Sequence, residues 1–237
     1  MKLKKSFIIH YTKLIERKSK VLEIFKNSNL QYEFIEDYDK DDFTDDIVSK
    51  FYKADRELFE HKIETAFNPP AWDLKENWFR VLNTAEISCT IKHIIALKKV
   101  SEQEDDFCLI VEDDIIPIFE DTFDKIELII QQSPKNWDSI FLGEGCGNDF
   151  IRSKLNKTER ISENLFKVPP PSTNCAEAYL IKKDSAKKIY DSIIPFQLVS
   201  DWELAYQFCK LNMNVYWSIP SIFCQGSKNG QYSSTLR

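Results

Sequence analysis

The apolar run Phe107-Cys108-Leu109-Ile110-Val111, ending in Glu112-Asp113-Asp114, constrains the fold of this chain more than any other segment. A short continuous apolar run bounded by polar residues reads as a buried strand. In an open α/β sheet, ligands gather beyond the carboxyl ends of the strands. Hydrophobic folding gives no reason to crowd carboxylates at that point. Glu112 and Asp114, separated by one residue, could share a hard divalent cation, and metal-assisted phosphate-ester chemistry is the candidate reaction. The plainer reading is a solvated strand end that turns before Pro117.

Around this run, strand and helix patterns alternate. Strands are expected at Ser6 to Tyr11, Tyr32 to Ile35, Ser139 to Leu142 and Asn214 to Trp217. Helices are expected at Leu14 to Lys26 (buried stripe Leu14, Val21, Leu22, Phe25), Thr84 to Val100, Thr122 to Gln132, Asp184 to Ile193 and Asp201 to Leu211. With 237 residues, 43% of them hydrophobic, one substantial core can form, so a single α/β domain over residues 1–237 is predicted. The net charge of −6 argues against a general affinity for nucleic acid or anionic membrane. The basic start Met1 to Lys5 precedes only Phe7-Ile8-Ile9, too short for a signal peptide or a membrane span, and a cytoplasmic location is the expectation. Six cysteines without a close pair suggest reduced, mostly buried thiols rather than a zinc cluster or a disulfide framework. The acidic stretch Glu36 to Asp46 fails as a calcium loop, because Asp42 and Val48 stand where glycine and glutamate are needed. It reads as a solvated loop leading into a helix.

Three further segments could carry chemistry. On the helix from Thr84, Ile87, Ile91, Ile94 and Ile95 share one side, with Glu86, Thr90 and His93 on the other. That polar group is either a surface ion pair with a satisfied histidine, or a face aimed into a substrate cleft. Ser200-Asp201-Trp202-Glu203 has the form of a capping box, in which Asp201 either complements the helix dipole or serves as a general base. Gly143-Glu144-Gly145-Cys146-Gly147 holds three of the five glycines, the composition of a loop that approaches a ligand closely. Walker, dinucleotide-binding and nucleophile-elbow motifs are absent from the sequence.

Taken in order, Ala85 to His93, Leu109 to Asp114, Trp137 to Gly143, Ala178 to Ile181 and the ending Pro220 to Ser227 with Gly230 and Ser233-Ser234 resemble glycosyltransferase family 25. This group contains lipopolysaccharide-type β-galactosyltransferases and collagen hydroxylysine galactosyltransferases. The resemblance implies a GT-A-type nucleotide-sugar-binding fold, with a mostly parallel central sheet flanked by helices. It also implies a UDP-sugar donor, Mn²⁺ (or Mg²⁺), and inverting transfer of galactose or glucose to a glycan or a glycosylated protein or lipid acceptor. Glu112 and Asp114 stand where such enzymes carry their metal motif, with Gln225 a further metal or diphosphate contact and Asp201 the candidate base. Tyr11, Thr12, Arg17, Glu86, His93 and Asp113 fall on the nucleotide-sugar side, Asp113 being structural or ribose-facing. The chain departs from the family at His10-Tyr11-Thr12-Lys13, at Ala85, and at Lys92, which replaces a usual serine and is either solvated or a phosphate contact. Two alternatives stay open: a catalytically silent domain that binds a glycan or nucleotide sugar, and a sugar nucleotidyltransferase, for which no lysine- and glycine-rich triphosphate loop is present. Acceptor choice is assigned to Lys53 to Trp78 and Asn148 to Ser172, and Trp72, Trp78, Tyr179 and Trp202 are either sugar platforms or core.

Overall fold

The computed structural model describes residues 2–26, 28–67, 79–145, 158–172 and 175–234. The elements in chain order are β1 (Lys5–Ile9), α1 (Ile15–Lys26), β2 (Gln31–Ile35), a 3₁₀ turn (Lys40–Asp42), α2 (Asp45–Phe51), α3 (Arg56–Phe67), α4 (Thr84–Ser101), β3 (Phe107–Glu112), β4 (Ile115–Pro117) and α5 (Thr122–Gln132). They continue with β5 (Ser139–Phe141), β6 (Glu159–Arg160), β7 (Leu165–Lys167), β8 (Ala178–Lys182), α6 (Lys183–Ile193), α7 (Ser200–Lys210), β9 (Val215–Ser218) and β10 (Phe223–Gln225). The long helix and the apolar strand fall where the sequence places them. Among the described residues no helix is long and apolar enough to cross a membrane.

Eight strands form the main sheet in the order β2-β1-β3-β8-β5-β9-β7-β6, and β10 pairs with β4 in a second, two-stranded sheet. β2, β1 and β3 are mutually parallel, as are β5 and β9, while β8 and β7 run against their neighbours. The chain leaves β1 for β2 on one side and reaches β3 on the other. That reversal makes the carboxyl ends of β1 and β3 a switch point, where an α/β sheet leaves a crevice. Register pairs Ile9 with Glu112, so the acidic tripeptide emerges beside His10 and Tyr11.

Alternation along the central strands feeds two core layers. Phe7, Cys108, Ile110, Tyr179 and Ile181 face α4, α6 and α7, meeting Ile91, Ile94, Leu97, Ile189 and Phe208. Ile8, Leu109, Val111 and Leu180 face α1 and α5, meeting Val21, Phe25, Ile126 and Ile130. Helices thus cover both faces. Leu22 departs from the expected α1 stripe and is exposed, whereas Leu14 lines the crevice.

Other expectations are corrected. Asp39 in the acidic stretch is buried rather than solvated, because Lys92 donates to its Oδ1 at 2.5 Å. Lys92 is therefore neither solvated nor available to a phosphate: it also donates to His10 O (2.5 Å) and Glu36 O (3.2 Å). The α7 capping box does not form, since Val199 is the N-cap residue and makes no side-chain cap bond. Glu203 is buried instead, accepting from Lys62 Nζ at 2.5 Å and from the Gln197 and Leu198 amides at 3.2 and 3.3 Å. Of the five described thiols only Cys108 is buried, the other four being half-buried, and none of the five is in a disulfide; Cys146 lies outside the described residues. Tyr179 belongs to the core, and half-buried Trp202 packs on Phe67; Trp72 and Trp78 lie outside the described residues.

Candidate active site

A cleft opens at the switch point, with about 620 Å³ of open space when the adjoining solvent is included. Its lining includes Tyr11 and Arg17 from the β1–α1 connection, Ser88, Cys89 and Lys92 from α4, Glu112-Asp113-Asp114, and Gln225 and Ser227 after β10. The cleft-facing stripe of α4 is therefore Ala85, Ser88, Cys89 and Lys92, one position away from the expected Glu86, Thr90 and His93. Glu86 sits at the helix start, where it completes a capping box with Asn83 and forms a bidentate pair with Arg80, at 2.6 and 2.5 Å. Thr12 is engaged with Asp39, and Tyr11, which lines the cleft, donates from Oη to Asp41.

The three consecutive carboxylates have three different environments. Both oxygens of Asp113 are held by protein groups: His10 Nδ1 lies 2.8 Å from Oδ2, and Arg17 Nη1 donates to Oδ1 at 2.8 Å. Arg17 Nη2 continues to Ser233 O at 2.5 Å, tying the C-terminal segment over α1. Asp113 is thus a brace for the strand end. Glu112 Oε1 meets His93 Nε2 at 3.2 Å, and Glu112 Oε2 accepts from Gln225 Nε2 at 3.2 Å. Asp114 Oδ1 and Gln225 Oε1 are buried without a hydrogen-bond partner.

Orphaned buried oxygens are rare in native interiors and call for an explanation. Asp114 Oδ1, Gln225 Oε1 and the Glu112 carboxylate are hard oxygen donors on neighbouring segments, the chemistry that suits Mn²⁺ or Mg²⁺. Burial first, then the charge of Glu112, pushes the Asp114 carboxyl up to about 6. A cation would reverse that penalty. The donor set therefore fits the expected metal.

Glu177, which the sequence reading missed, closes the back of this region. It directly precedes β8, its carbonyl accepts from Glu112 N at 2.8 Å, and its Oε1 accepts from Gly145 N at 2.6 Å. A signal was present: Glu177 is a single acid immediately before the apolar strand run Ala178 to Ile181. Burial pushes its carboxyl up to about 8. The unfolded chain ionises at the ordinary value of 4.5 while the folded protein resists until about 8, so this group's contribution to stability falls as pH rises through that window. Chemical denaturation at pH 5 and pH 8 should show a smaller loss of stability for Glu177→Gln than for the wild type. Gly143 exists because of the same side chain, since a Cβ there would lie 2.3 Å from the Glu177 carboxyl. Gly143→Ala is expected to cost about 1–3 kcal/mol in a denaturation curve through overpacking.

Asp201 occupies the first turn of α7, half-buried, with its Oδ1 accepting from Trp202 N at 3.0 Å. Burial raises its carboxyl above the usual range, the Trp202 amide and Lys228 oppose this, and the charge of Glu112 adds to it. Asp201 is therefore within electrostatic reach of Glu112, across Cys89 and Ser200, although it is not part of the cleft lining.

A switch-point cleft lined by strand-end carboxylates, on a mixed sheet covered by helices, is where a protein of the α/β class binds its ligand. The profile of glycosyltransferase family 25 (LPS biosynthesis protein) matches residues 3–203, and the chain belongs to that family. It is a glycosyltransferase. No curated protein matches the sequence significantly. Among solved structures, UDP-glucose pyrophosphorylase complexed with UDP-glucose is similar over 94% of this chain and 91% of that one, with 12% identity and a TM-score of 0.47. The galactosyltransferase LgtC, in complex with donor and acceptor sugar analogs, is similar over 90% and 72%, with 9% identity and a TM-score of 0.40.

Proposed function

We propose that this glycosyltransferase moves a hexose, galactose or glucose, from a UDP-sugar to a glycan or glycosylated side-chain acceptor, with inversion and with Mn²⁺ or Mg²⁺. The observation that carries the reading is the trio of hard donors in one cleft, Glu112 with the orphaned oxygens of Asp114 and Gln225. A cation held there supplies Lewis-acid neutralisation of the diphosphate leaving group.

The charge balance of the cleft supports the same conclusion. A diphosphate needs positive charge, yet Arg17 is paired with Asp113, Lys92 with Asp39, and Lys40 lies over the Tyr11 ring. The cations of the described lining are engaged by the protein's own groups, which leaves neutralisation to a divalent ion. Asp113, fixed by Arg17 and His10, holds the end of β3 still so that its neighbours keep their aim. Tyr11, in the cleft lining, is assigned to the nucleoside. Asp201 is assigned the proton of the acceptor hydroxyl, a task its raised pKa suits.

Incubation of the full chain with Mn²⁺ and a panel of UDP-sugars should release UDP from UDP-galactose or UDP-glucose when glycan acceptors are present. UDP binding by calorimetry without turnover on any acceptor would mark a silent binding domain. Pyrophosphate release from a nucleoside triphosphate would mark a nucleotidyltransferase.

A further inference from the structure

The inner wall of the cleft holds a second donor set of different chemistry. Cys89 and His93 stand one turn apart on α4, and both approach the same oxygen, Glu112 Oε1: Sγ at 3.9 Å and Nε2 at 3.2 Å. The three ligand atoms lie within 4.8 Å of one another. Zinc bonds of about 2.0–2.3 Å in a tetrahedron set ligand atoms about 3.3–3.6 Å apart, so the cluster closes on an ion with side-chain adjustments of a few tenths of an ångström to about an ångström.

We propose that Cys89, His93 and Glu112 form a binding site for a soft or borderline divalent ion, zinc in the first instance. Thiolate and imidazole favour such ions over Mn²⁺ or Mg²⁺. Two observations beyond the cluster point the same way. Cys89 and Glu112 both line the cleft, so a fourth position is open to water or ligand. The other ring nitrogen of His93 already has a partner, Tyr179 Oη at 3.1 Å. An imidazole ligand ordinarily donates from its second nitrogen to such a group, which fixes the ring and its tautomer. With Nδ1–H donating to Tyr179 Oη, the Nε2 lone pair faces Glu112 and the ion. Cys89 binds an ion as the thiolate, so one proton leaves to solvent for each ion bound.

Glu112 is common to both donor sets, its Oε1 facing Cys89 and His93 and its Oε2 facing Gln225. An ion on the soft side takes the carboxylate that the hard side also uses. That antagonism rests on the donor-site reading, whereas the soft site itself does not.

The test uses Co²⁺ as a spectroscopic stand-in for zinc, added to the reduced full chain and followed by its thiolate charge-transfer band. One ion per chain with a strong band is expected. Cys89→Ser should abolish the band, His93→Gln should weaken cobalt binding at least ten-fold, and Cys209→Ser should retain it, since that thiol lies at the far end of α7 against Thr65 O. Melting curves identify any variant that fails to fold, and His93→Gln keeps the test decisive if Cys89→Ser does. Absence of the band in the wild type, or its persistence in a folded Cys89→Ser protein, would overturn the proposal. UDP turnover plays no part in this readout, so failure of the donor-site reading would leave the cobalt result intact.

Discussion

Asp114→Asn is expected to lower UDP release from a UDP-hexose and Mn²⁺ by about a thousand-fold while leaving the protein as stable as before, or more so. A loss of about 4 kcal/mol of charge stabilisation corresponds to that factor. The opposite sign on stability follows from the same environment. Asp114 is buried, its Oδ1 has no hydrogen-bond partner, and the charge of Glu112 stands beside it, so its carboxyl is pushed up to about 6. Between the ordinary value of 3.8 and about 6, the unfolded chain ionises while the folded protein does not, and stability is lost as pH rises. The neutral amide removes that loss. Gain in stability with loss of function is the signature of a strained binding site rather than a structural residue. Turnover in the mutant at the wild-type rate would remove Glu112 and Asp114 from the donor site.

Arg17→Met should have the largest effect on folding. Arg17 is buried, donates to Asp113 at 2.8 Å and to Ser233 O at 2.5 Å, and stands 4.0 Å from Asp114. Methionine fills the volume but leaves two buried carboxylates without their guanidinium. Breaking a buried pair in this way costs about 3–5 kcal/mol. In a domain of this size that is a fall in melting temperature on the order of 10 °C. Adding Asp113→Asn to Arg17→Met should recover part of the loss, because the second change removes the uncompensated charge. A single mutant within about 1 kcal/mol of wild type would show that His10 alone suffices to hold Asp113.

The two predictions separate neighbours that the sequence could not. Glu112-Asp113-Asp114 is legible as an acidic strand end because β3 is a continuous apolar run, and register with β1 then fixes where it emerges. Which of the three carboxylates is braced and which is orphaned depends on Arg17 and His10, about a hundred residues away in sequence. The helix α4 is equally legible in its extent, since its isoleucine stripe and its start at Thr84 are local features. Its cleft-facing side is set by how it packs on the sheet, and there the expected Glu86 and His93 face gave way to Ser88, Cys89 and Lys92.

Long-range pairs account for the other differences. An acidic run such as Glu36 to Asp46 looks solvated until Lys92 arrives from α4 to bury Asp39. Burial alone would raise Asp39, but the hydrogen bonds from Lys92 and Thr12 outweigh it and hold the carboxyl below its usual value. Glu203 has the sequence position of a capping residue, yet Lys62 on α3 draws it into the core. The strands β4, β6, β7 and β10 span two or three residues each, too short to show a period. β10 nonetheless matters most of these, because its antiparallel pairing with β4 sets Gln225 opposite Ile115 and so beside Glu112.

The most direct test is a crystal structure of the full chain with UDP and Mn²⁺, with the metal located by its anomalous scattering. The manganese peak should lie between the Glu112 and Asp114 carboxylates and Gln225 Oε1, with the diphosphate on its open side and Asp113 still bound to Arg17 and His10. A manganese ion elsewhere, or UDP bound in this cleft with Asp114 and Gln225 touching neither metal nor nucleotide, would contradict the account.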